Sequence, residues 1–326
     1  MALPPVSIIL AVLNESEFID LSLGDLLSQD YQGAIEIIVA DGGSTDGTVA
    51  RLNALASRDP KVKVVANPDR RQAYGLNAAA AHASFSVLMR ADGHTRFASN
   101  YISRSVVAFL ELGGAVGGRM NPVGSTRFGR SVAAAMNSPL TMGPARFHHA
   151  TEREEVDTVY LGMFHMADFD ELGGFRPFPS GSSEDADFYY RWRQSGRKVY
   201  VDPAISSTYS PRESVGPLWH QYWRYGVGKA EMLWVNGRLP SLRPLVPIGL
   251  VIGLIGALFL ALFAGFSWPL GVLLAAWGSV LMTVGLRSSE PALTVMGVAG
   301  LMHLAYGTGM VFGLLRGPRP LRHLRG

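Results

Sequence analysis

The sequence predicts an α/β protein: a mainly parallel sheet flanked by helices, followed by membrane-crossing helices toward the carboxyl end. Three observations carry this. Short apolar runs alternate with helical patterns up to residue 200. One of them, residues 35–41, ends in Asp41 and opens into Gly-Gly-Ser-Thr-Asp-Gly-Thr. Three long uncharged apolar stretches then fill the carboxyl-terminal quarter.

Residues 6–12 read as the first strand: no basic leader precedes them, and the run is too short for a signal peptide. A helix is expected over residues 15–29, where Phe18, Leu21, Leu26 and Leu27 fit a helical stripe loosely. In residues 35–40 every position but Glu36 is Ile, Val or Ala, the pattern of a buried parallel strand. The small, turn-forming residues after Asp41 let a ligand approach the strand's carboxyl end, where open α/β sheets bind ligands. Residues 48–57 place Val49, Leu52, Leu55 and Ala56 at helical spacing. Residues 62–66 form a third strand, 72–83 an alanine-rich helix, and 86–91 a fourth strand ending in Arg-Ala-Asp.

Farther on, a Gly/Pro-rich loop (173–181) leads into Ser182-Ser183-Glu184-Asp185-Ala186-Asp187. Ser182 or Ser183 as cap, with acids in the first turn, suits a helix start. Three acids in four residues exceed what capping requires and suit a carboxylate held at a cleft. Residues 217–236 read as an amphipathic interfacial helix carrying Trp219, Tyr222, Trp223, Tyr225 and Trp234, with His220, Gln221, Arg224 and Glu231 near the opposite face. Residues 118–150, with Arg119, Arg127, Arg130 and Arg146, are expected as a loop facing the acceptor, and His148-His149 as surface polarity.

Residues 245–266, 269–286 and 292–315 are apolar runs of about 18 to 24 residues, read as membrane helices rather than as core helices. An even number of crossings, with one segment re-entrant or lying along the interface, would keep the basic end beside the large domain; 292–315, rich in glycine and carrying His303, is expected as that irregular segment. The expected organisation is a catalytic domain (1–212), an interfacial helix and linker (213–242), a membrane domain (243–316) and a basic tail (317–326).

Composition narrows the function. The absence of cysteine excludes disulfides and thiolate metal sites. Of the basic residues, 23 precede residue 241 against 25 acids; beyond it stand six arginines and one acid, Glu290. The basic balance belongs to the tail, so no nucleic-acid partner is expected. No Gly-X-Gly-X-X-Gly follows the first strand, which disfavours a dinucleotide oxidoreductase.

Six pieces in order now carry a family resemblance: Ala-Val-Leu-Asn-Glu (11–15), Val-Ala-Asp-Gly-Gly-Ser-Thr-Asp-Gly-Thr (39–48), Gly-Leu-Asn (75–77), Arg-Ala-Asp (90–92), Gly-Gly-Phe (173–175) and Glu-Asp-Ala-Asp-Phe (184–188). Together they resemble the family 2 glycosyltransferases, which have the nucleotide-sugar-binding GT-A fold. Arg-Ala-Asp-Gly-His, Val-Asp-Thr-Val-Tyr-Leu-Gly (156–162) and the membrane tail are similar to the succinoglycan-type exopolysaccharide glucosyltransferases.

The resemblance implies an inverting transfer of a hexose, glucose from UDP-glucose, onto a polyprenyl-diphosphate-linked saccharide. It implies a bacterial inner-membrane enzyme with its catalytic domain facing the cytoplasm, in contact with membrane lipid and with other polysaccharide assembly proteins. Asp41 would accept from the uracil ring, Asn14 and Glu15 would line the base and ribose pocket, and Ala11, Asn77 and Arg90 would join the donor site. Asp92 matches the last aspartate of the family's Asp-X-Asp motif and would bind Mg²⁺ or Mn²⁺ bridging the donor diphosphate. Arg90 replaces that motif's first aspartate and would pair with a phosphate or the ribose region; His94 is either a nitrogen ligand or a loop histidine. Asp185 would be the general base, with Glu184 orienting it or touching the acceptor. Gln221, Arg224 and Tyr225 resemble the Gln-X-X-Arg-Trp motif of the family's polysaccharide synthases, with Tyr225 in place of Trp, and would contact the acceptor or diphosphate. Open alternatives are a polyprenyl-phosphate sugar transferase, a processive synthase and a non-catalytic scaffold.

Overall fold

Runs of Val, Ile, Leu and Ala form strands because their branched side chains pack on a pleated surface, and the alternating helices cover them. In the computed structural model, which describes residues 3–143, 145–238 and 241–318, the elements begin with β1 (Val6–Val12), α1 (Ile19–Leu27), β2 (Ile35–Asp41), α2 (Thr48–Ala56), β3 (Val62–Ala66) and α3 (Gln72–Ala81). There follow β4 (Val87–Arg90), β5 (Thr95–Phe97), α4 (Tyr101–Leu112), β6 (Ala115–Pro122), α5 (Arg127–Met136) and α6 (Pro139–Met142). Next come β7 (Glu154–Glu155), β8 (Tyr160–His165), α7 (Met166–Glu171), α8 (Glu184–Gln194) and β9 (Val199–Tyr209). Four long helices complete the chain: α9 (Val215–Asn236), α10 (Leu245–Phe263), α11 (Trp268–Leu286) and α12 (Ala292–Arg316).

The chain divides into two compact units, residues 1–121 with 146–209, and residues 122–145 with 210–320. Residues 122–145 thus fall in the second unit, whereas the expected catalytic domain ran unbroken to residue 212. The basic residues Arg319, Arg322 and Arg325 lie outside the described residues.

The first unit is built on one sheet of order β3-β2-β1-β4-β8-β6-β9-β5, with β7 paired to β9. β1 pairs in parallel with β2 and β4, and β2 with β3. The expected mainly parallel sheet is seen in these four strands, and β6, antiparallel to the same β8 as β4, shares their direction. β8 runs antiparallel to β4 and β6, and β9 antiparallel to β5 and β7, so the sheet is mixed. A strand's direction is set by the connection that delivers it, not by its composition, so β8 reads like a parallel strand.

Alternation along the strands makes two cores. Ile8, Leu10, Ile37, Val39 and Met89 face α1 and α4 through Ile19, Leu23, Ile102 and Val106. Ile9, Ile38, Ala40 and Leu88 face α3 and α8 through Leu76, Ala79, Phe188 and Trp192. Register puts Val12 opposite Asp41, Asp41 opposite Ala66 and Ile9 opposite Arg90. β1, β2 and β3 therefore end at one level, and β4 ends three residues earlier along β1, across the switch between β1 and β4.

In the second unit, α10, α11 and α12 are long and apolar enough to cross a membrane, with mean hydropathy 2.7, 1.8 and 1.5. The segment expected to be re-entrant or to lie along the interface forms one unbroken 25-residue helix. Its glycines serve packing: a Cβ at Gly309 would meet the Trp223 carbonyl of α9, and one at Gly313 would meet Ala230. Trp223 packs on Phe312 at 5.2 Å. α9 is accordingly less of a surface helix than its aromatics imply, since Tyr222 and Glu231 are buried while Trp219, Tyr225 and Trp234 remain exposed. Residues 118–150 are not a loop either; they hold part of β6, α5 and α6. α5 is capped by Thr126, which accepts from the Gly129 N–H at 3.0 Å.

Candidate functional site

At the carboxyl edge of the parallel strands, two loops close on each other. Asn14, at φ 58°, donates its N–H to Ser44 Oγ at 2.8 Å and accepts the Thr45 N–H on Oδ1 at 2.9 Å. Glu15 N–H donates to Thr48 Oγ1 and Ser16 N–H to Asp46 Oδ2, at 2.9 and 3.0 Å. Asp46 also accepts from the Thr48 hydroxyl and N–H, and these bonds with that from Ser16 hold its carboxyl well below the usual range. This exchange explains why α1 starts at Ile19, later than expected: residues 14–16 belong to the loop pair.

Asp41 is buried, and its carboxylate accepts from the Gly43 and Ser44 N–H groups and the Ser44 hydroxyl, at 2.8, 3.0 and 2.6 Å. Those bonds set the glycine loop while leaving lone pairs for a donor group. Beside it opens a cleft of about 460 Å³ lined by Asp41, Gly43, Asn53, Val65, Asn67 and Arg70, among others. Asn67 is 3% exposed and donates Nδ2 to the Arg71 carbonyl, while its Oδ1 is buried with no hydrogen-bond partner.

The second cluster joins β4 to α8. Arg90 Nη2 lies 3.5 Å from Asp92 Oδ1 and 3.3 Å from Glu184 Oε1, and its Cζ sits 5.6 Å from the Phe175 ring centre. Arg90, Asp92 and Glu184 are each under 9% exposed. Burial works against Arg90's charge, but Asp92, Glu184 and Asp185 outweigh it and raise the pKa. Burial, then the Asp185 charge, push the Glu184 carboxyl up to about 7 against the opposing pull of Arg90. Asp185 is partly exposed and accepts from the Ala186 N–H at 2.7 Å. Two buried tyrosines, Tyr101 and Tyr189, and the partly buried Tyr160 adjoin the cluster: Tyr160 Oη meets Thr95 Oγ1 at 2.7 Å, and burial raises the pKa of all three. A partly exposed carboxylate thus stands beside one that is buried.

The third acid is structural. Asp187 is fully buried and pairs with Arg191 Nε at 2.8 Å, and Arg191 Nη2 donates to the Gly174 carbonyl at 2.7 Å. Asn77, expected among the donor contacts, exchanges two hydrogen bonds with the Phe175 backbone. Gly174, at φ 65°, leaves room for that amide. Ala11 lies inside β1 opposite Ala40. Ser183 takes the N-cap position of α8, as expected, but in left-handed geometry and with no side-chain capping bond.

His94 pairs with Glu15 at 3.2 Å and meets Tyr209 edge-on at 5.8 Å. His148 is 1% exposed, not surface polarity; burial pushes its pKa down to about 3. In the second unit, Gln221 Nε2 donates to Tyr225 Oη at 3.0 Å and Arg224 is exposed.

The metal expectation meets a sparse donor set. Among the described residues no three His, Cys, Asp or Glu side chains cluster to hold a metal. Asp92 offers one hard carboxylate, steadied by Gln72 Nε2 at 3.2 Å. A hard cation that keeps waters and completes its shell with substrate phosphates fits one carboxylate.

Asp46, Asn67, Gln72 and Arg191 are site or supporting residues that the sequence did not single out. Asp46 was within the quoted motif, but its partner Ser16 is 30 positions away. Gln72 and Asn67 carried no local signal beyond their places at a helix start and a strand end.

Comparison with known proteins agrees with this geometry. Residues 7–171 match the family model described as Glycosyl transferase family 2. The chain is 30% identical over 311 residues to the succinoglycan biosynthesis protein ExoA of Rhizobium meliloti, covering 93% of this chain and 92% of that protein. It is 24% identical to a Methanococcus voltae protein named as a dolichyl N-acetyl-alpha-D-glucosaminyl phosphate 3-beta-D-2,3-diacetamido-2,3-dideoxy-beta-D-glucuronosyltransferase, covering 96% of this chain and 98% of that one. Among solved structures, the mannosyltransferase PcManGT from Pyrobaculum calidifontis, in complex with GDP-Man and Mn²⁺, superposes with a TM-score of 0.59 at 20% identity, covering 96% of this chain and 87% of that one. This last likeness shows a GT-A fold.

Proposed function

The chain belongs to glycosyltransferase family 2, and within that family we propose that it is an inverting hexosyltransferase moving glucose from UDP-glucose onto a polyprenyl-diphosphate-linked saccharide in exopolysaccharide biosynthesis. The observation that carries this is the meeting of Asp92 and Glu184-Asp185 around Arg90: two motifs far apart in sequence supply carboxylates to one place.

The two groups divide the reaction. Asp185, the partly exposed carboxylate, takes the proton of the acceptor hydroxyl. That oxygen attacks the anomeric carbon from the face opposite the diphosphate, the carbon–oxygen bond to the diphosphate breaks, and UDP leaves with the configuration inverted. Asp92 would hold Mg²⁺ or Mn²⁺, whose charge would offset that developing on the leaving diphosphate. The cleft at Asp41 and Asn67 receives the base, the unpaired Asn67 Oδ1 and the lone pairs left on Asp41 being acceptors for a uracil N–H. Asn14 and Glu15 edge the same strand ends.

The lipid-linked acceptor is supported by the three apolar helices and by the dolichyl-phosphate sugar in the name of the Methanococcus relative. Gln221, Arg224 and Tyr225 on α9 are the residues we assign to the acceptor's saccharide or diphosphate. The setting is the bacterial inner membrane, with the catalytic unit on the cytoplasmic side where nucleotide sugars are made, among other polysaccharide assembly proteins.

The test is turnover in purified detergent-solubilised protein given UDP-glucose, UDP-galactose, UDP-N-acetylglucosamine or GDP-mannose, with Mn²⁺, Mg²⁺ or EDTA and lipid-linked acceptor extract. UDP release from UDP-glucose that needs both metal and acceptor saccharide supports the proposal. Transfer to polyprenyl phosphate alone, retained in Asp185→Asn, would replace it with a lipid-phosphate sugar transferase. No release and no donor binding would leave a scaffold.

A further inference from the structure

α8 begins without a side-chain capping bond. Ser183 holds the N-cap position at φ 69°, and its side chain makes no hydrogen bond to the helix. A non-glycine residue keeps that conformation only where its surroundings over-determine it. The surroundings here come from the sheet. Glu184, the first helical residue, is 5% exposed, and its Oε1 lies 3.3 Å from Nη2 of Arg90 at the end of β4. The Arg90 guanidinium rests on the Phe175 ring, which Asn77 fixes through the backbone. Asp185 follows Glu184 directly, so its direction depends on where this turn is held.

We propose that Arg90 is a positioning residue for Asp185: its ion pair with Glu184 fastens the first turn of α8 to β4 and thereby aims the Asp185 carboxylate. The inference rests on Asp185 being the base, as proposed above. Arg90 is 7% exposed, with Nη2 between two carboxylates, an arrangement that favours an internal tie over a donor contact. Lysine would not replace it, since one ammonium cannot lie flat on Phe175 while reaching both acids.

The test uses full-length, detergent-solubilised Arg90→Gln, Arg90→Lys, Glu184→Gln and the double variant Arg90→Gln/Glu184→Gln. The first readout needs no activity: hydrogen exchange of the Asp187 amide, which bonds to the Ser183 carbonyl at 3.0 Å. We expect exchange ~10-fold faster or more in each single variant, no faster in the double, and unchanged amides in α3. The second readout is kinetic: kcat lower by ~10 to 100-fold, with donor KM and the Kd for UDP within ~3-fold of wild type. If Arg90→Gln fails to fold, Glu184→Gln, which leaves the guanidinium paired with Asp92, decides alone. Unchanged exchange would overturn the proposal, and if UDP affinity fell ~10-fold at the same time, Arg90 would be a donor ligand instead. A wild-type protein that transfers no sugar would sink the transferase reading, while exchange would still decide whether Arg90 fastens α8.

Discussion

Asn77 and Phe175 stand 98 positions apart and exchange two hydrogen bonds, Asn77 Nδ2 to the Phe175 carbonyl at 2.8 Å and the Phe175 N–H to Asn77 Oδ1 at 2.9 Å. The amide acts as a piece of strand edge, satisfying both backbone groups of a residue that is 1% exposed. Asn77→Ala strands a buried donor and acceptor, at a cost of about 1–3 kcal/mol. We expect a lower thermal midpoint and reduced kcat, with UDP affinity within ~3-fold of wild type. Calorimetric titration checks this; a ~10-fold loss of UDP affinity without loss of stability would return Asn77 to the donor site.

Asp185 and Asp92 should fail differently. Asp185→Asn keeps the shape but removes the carboxylate proposed as proton acceptor, so kcat should fall by ~10²- to 10⁴-fold with donor affinity intact. Asp92→Asn should instead abolish the metal dependence of donor binding. Measuring UDP binding with Mn²⁺ and with EDTA in both variants separates the two roles; matching defects would refute the division of work.

Asp46 clips two loops that together present Asn14 and Asp41. Asp46→Ala frees the Ser16 N–H and the Thr48 hydroxyl, and misplacement at the strand ends should weaken UDP binding by roughly 10-fold. Asp46→Asn, which keeps one acceptor oxygen, should recover part of it. Equal loss in both variants would mean that the charge, not the clip, matters.

Burial of His148 ties stability to pH. Its folded pKa is pushed down to about 3, below the ordinary 6.5, so under pH 6.5 the unfolded chain binds a proton that the folded one refuses. Stability from this group is present above pH 6.5 and is lost as pH falls toward 3, by at most about 1.4 kcal/mol per pH unit. Thermal midpoints between pH 7.5 and 5 should fall less steeply in His148→Phe, where the ring can still pack on Phe147. Parallel slopes would remove His148 as the cause.

In the second unit, a side chain at Gly309 would push against the α9 backbone. Gly309→Leu should lower the thermal midpoint of the solubilised protein by the ~1–3 kcal/mol of an overpacked contact. Gly297→Leu, at an α12 glycine with open space around it, should not.

By itself the sequence determined the strands β1, β2 and β3 to the residue, and the ordered motifs that name the family. Those signals are local: the period of apolar residues, and small residues where a strand must open into a loop. It also placed the three long apolar helices, because a bilayer demands length and apolarity that composition alone displays. What only the tertiary structure decided is which partner each polar group meets. Three acids in one turn look alike as letters, yet Asp187 is locked onto Arg191, Glu184 onto Arg90, and Asp185 alone remains partly exposed. The direction of β8, the burial of His148 and the closure of Asn77 on Phe175 are likewise invisible in a local pattern. Each depends on contacts between segments distant in the chain, and a hydrogen bond is chosen by what folding brings within about 3 Å, not by what stands next in sequence.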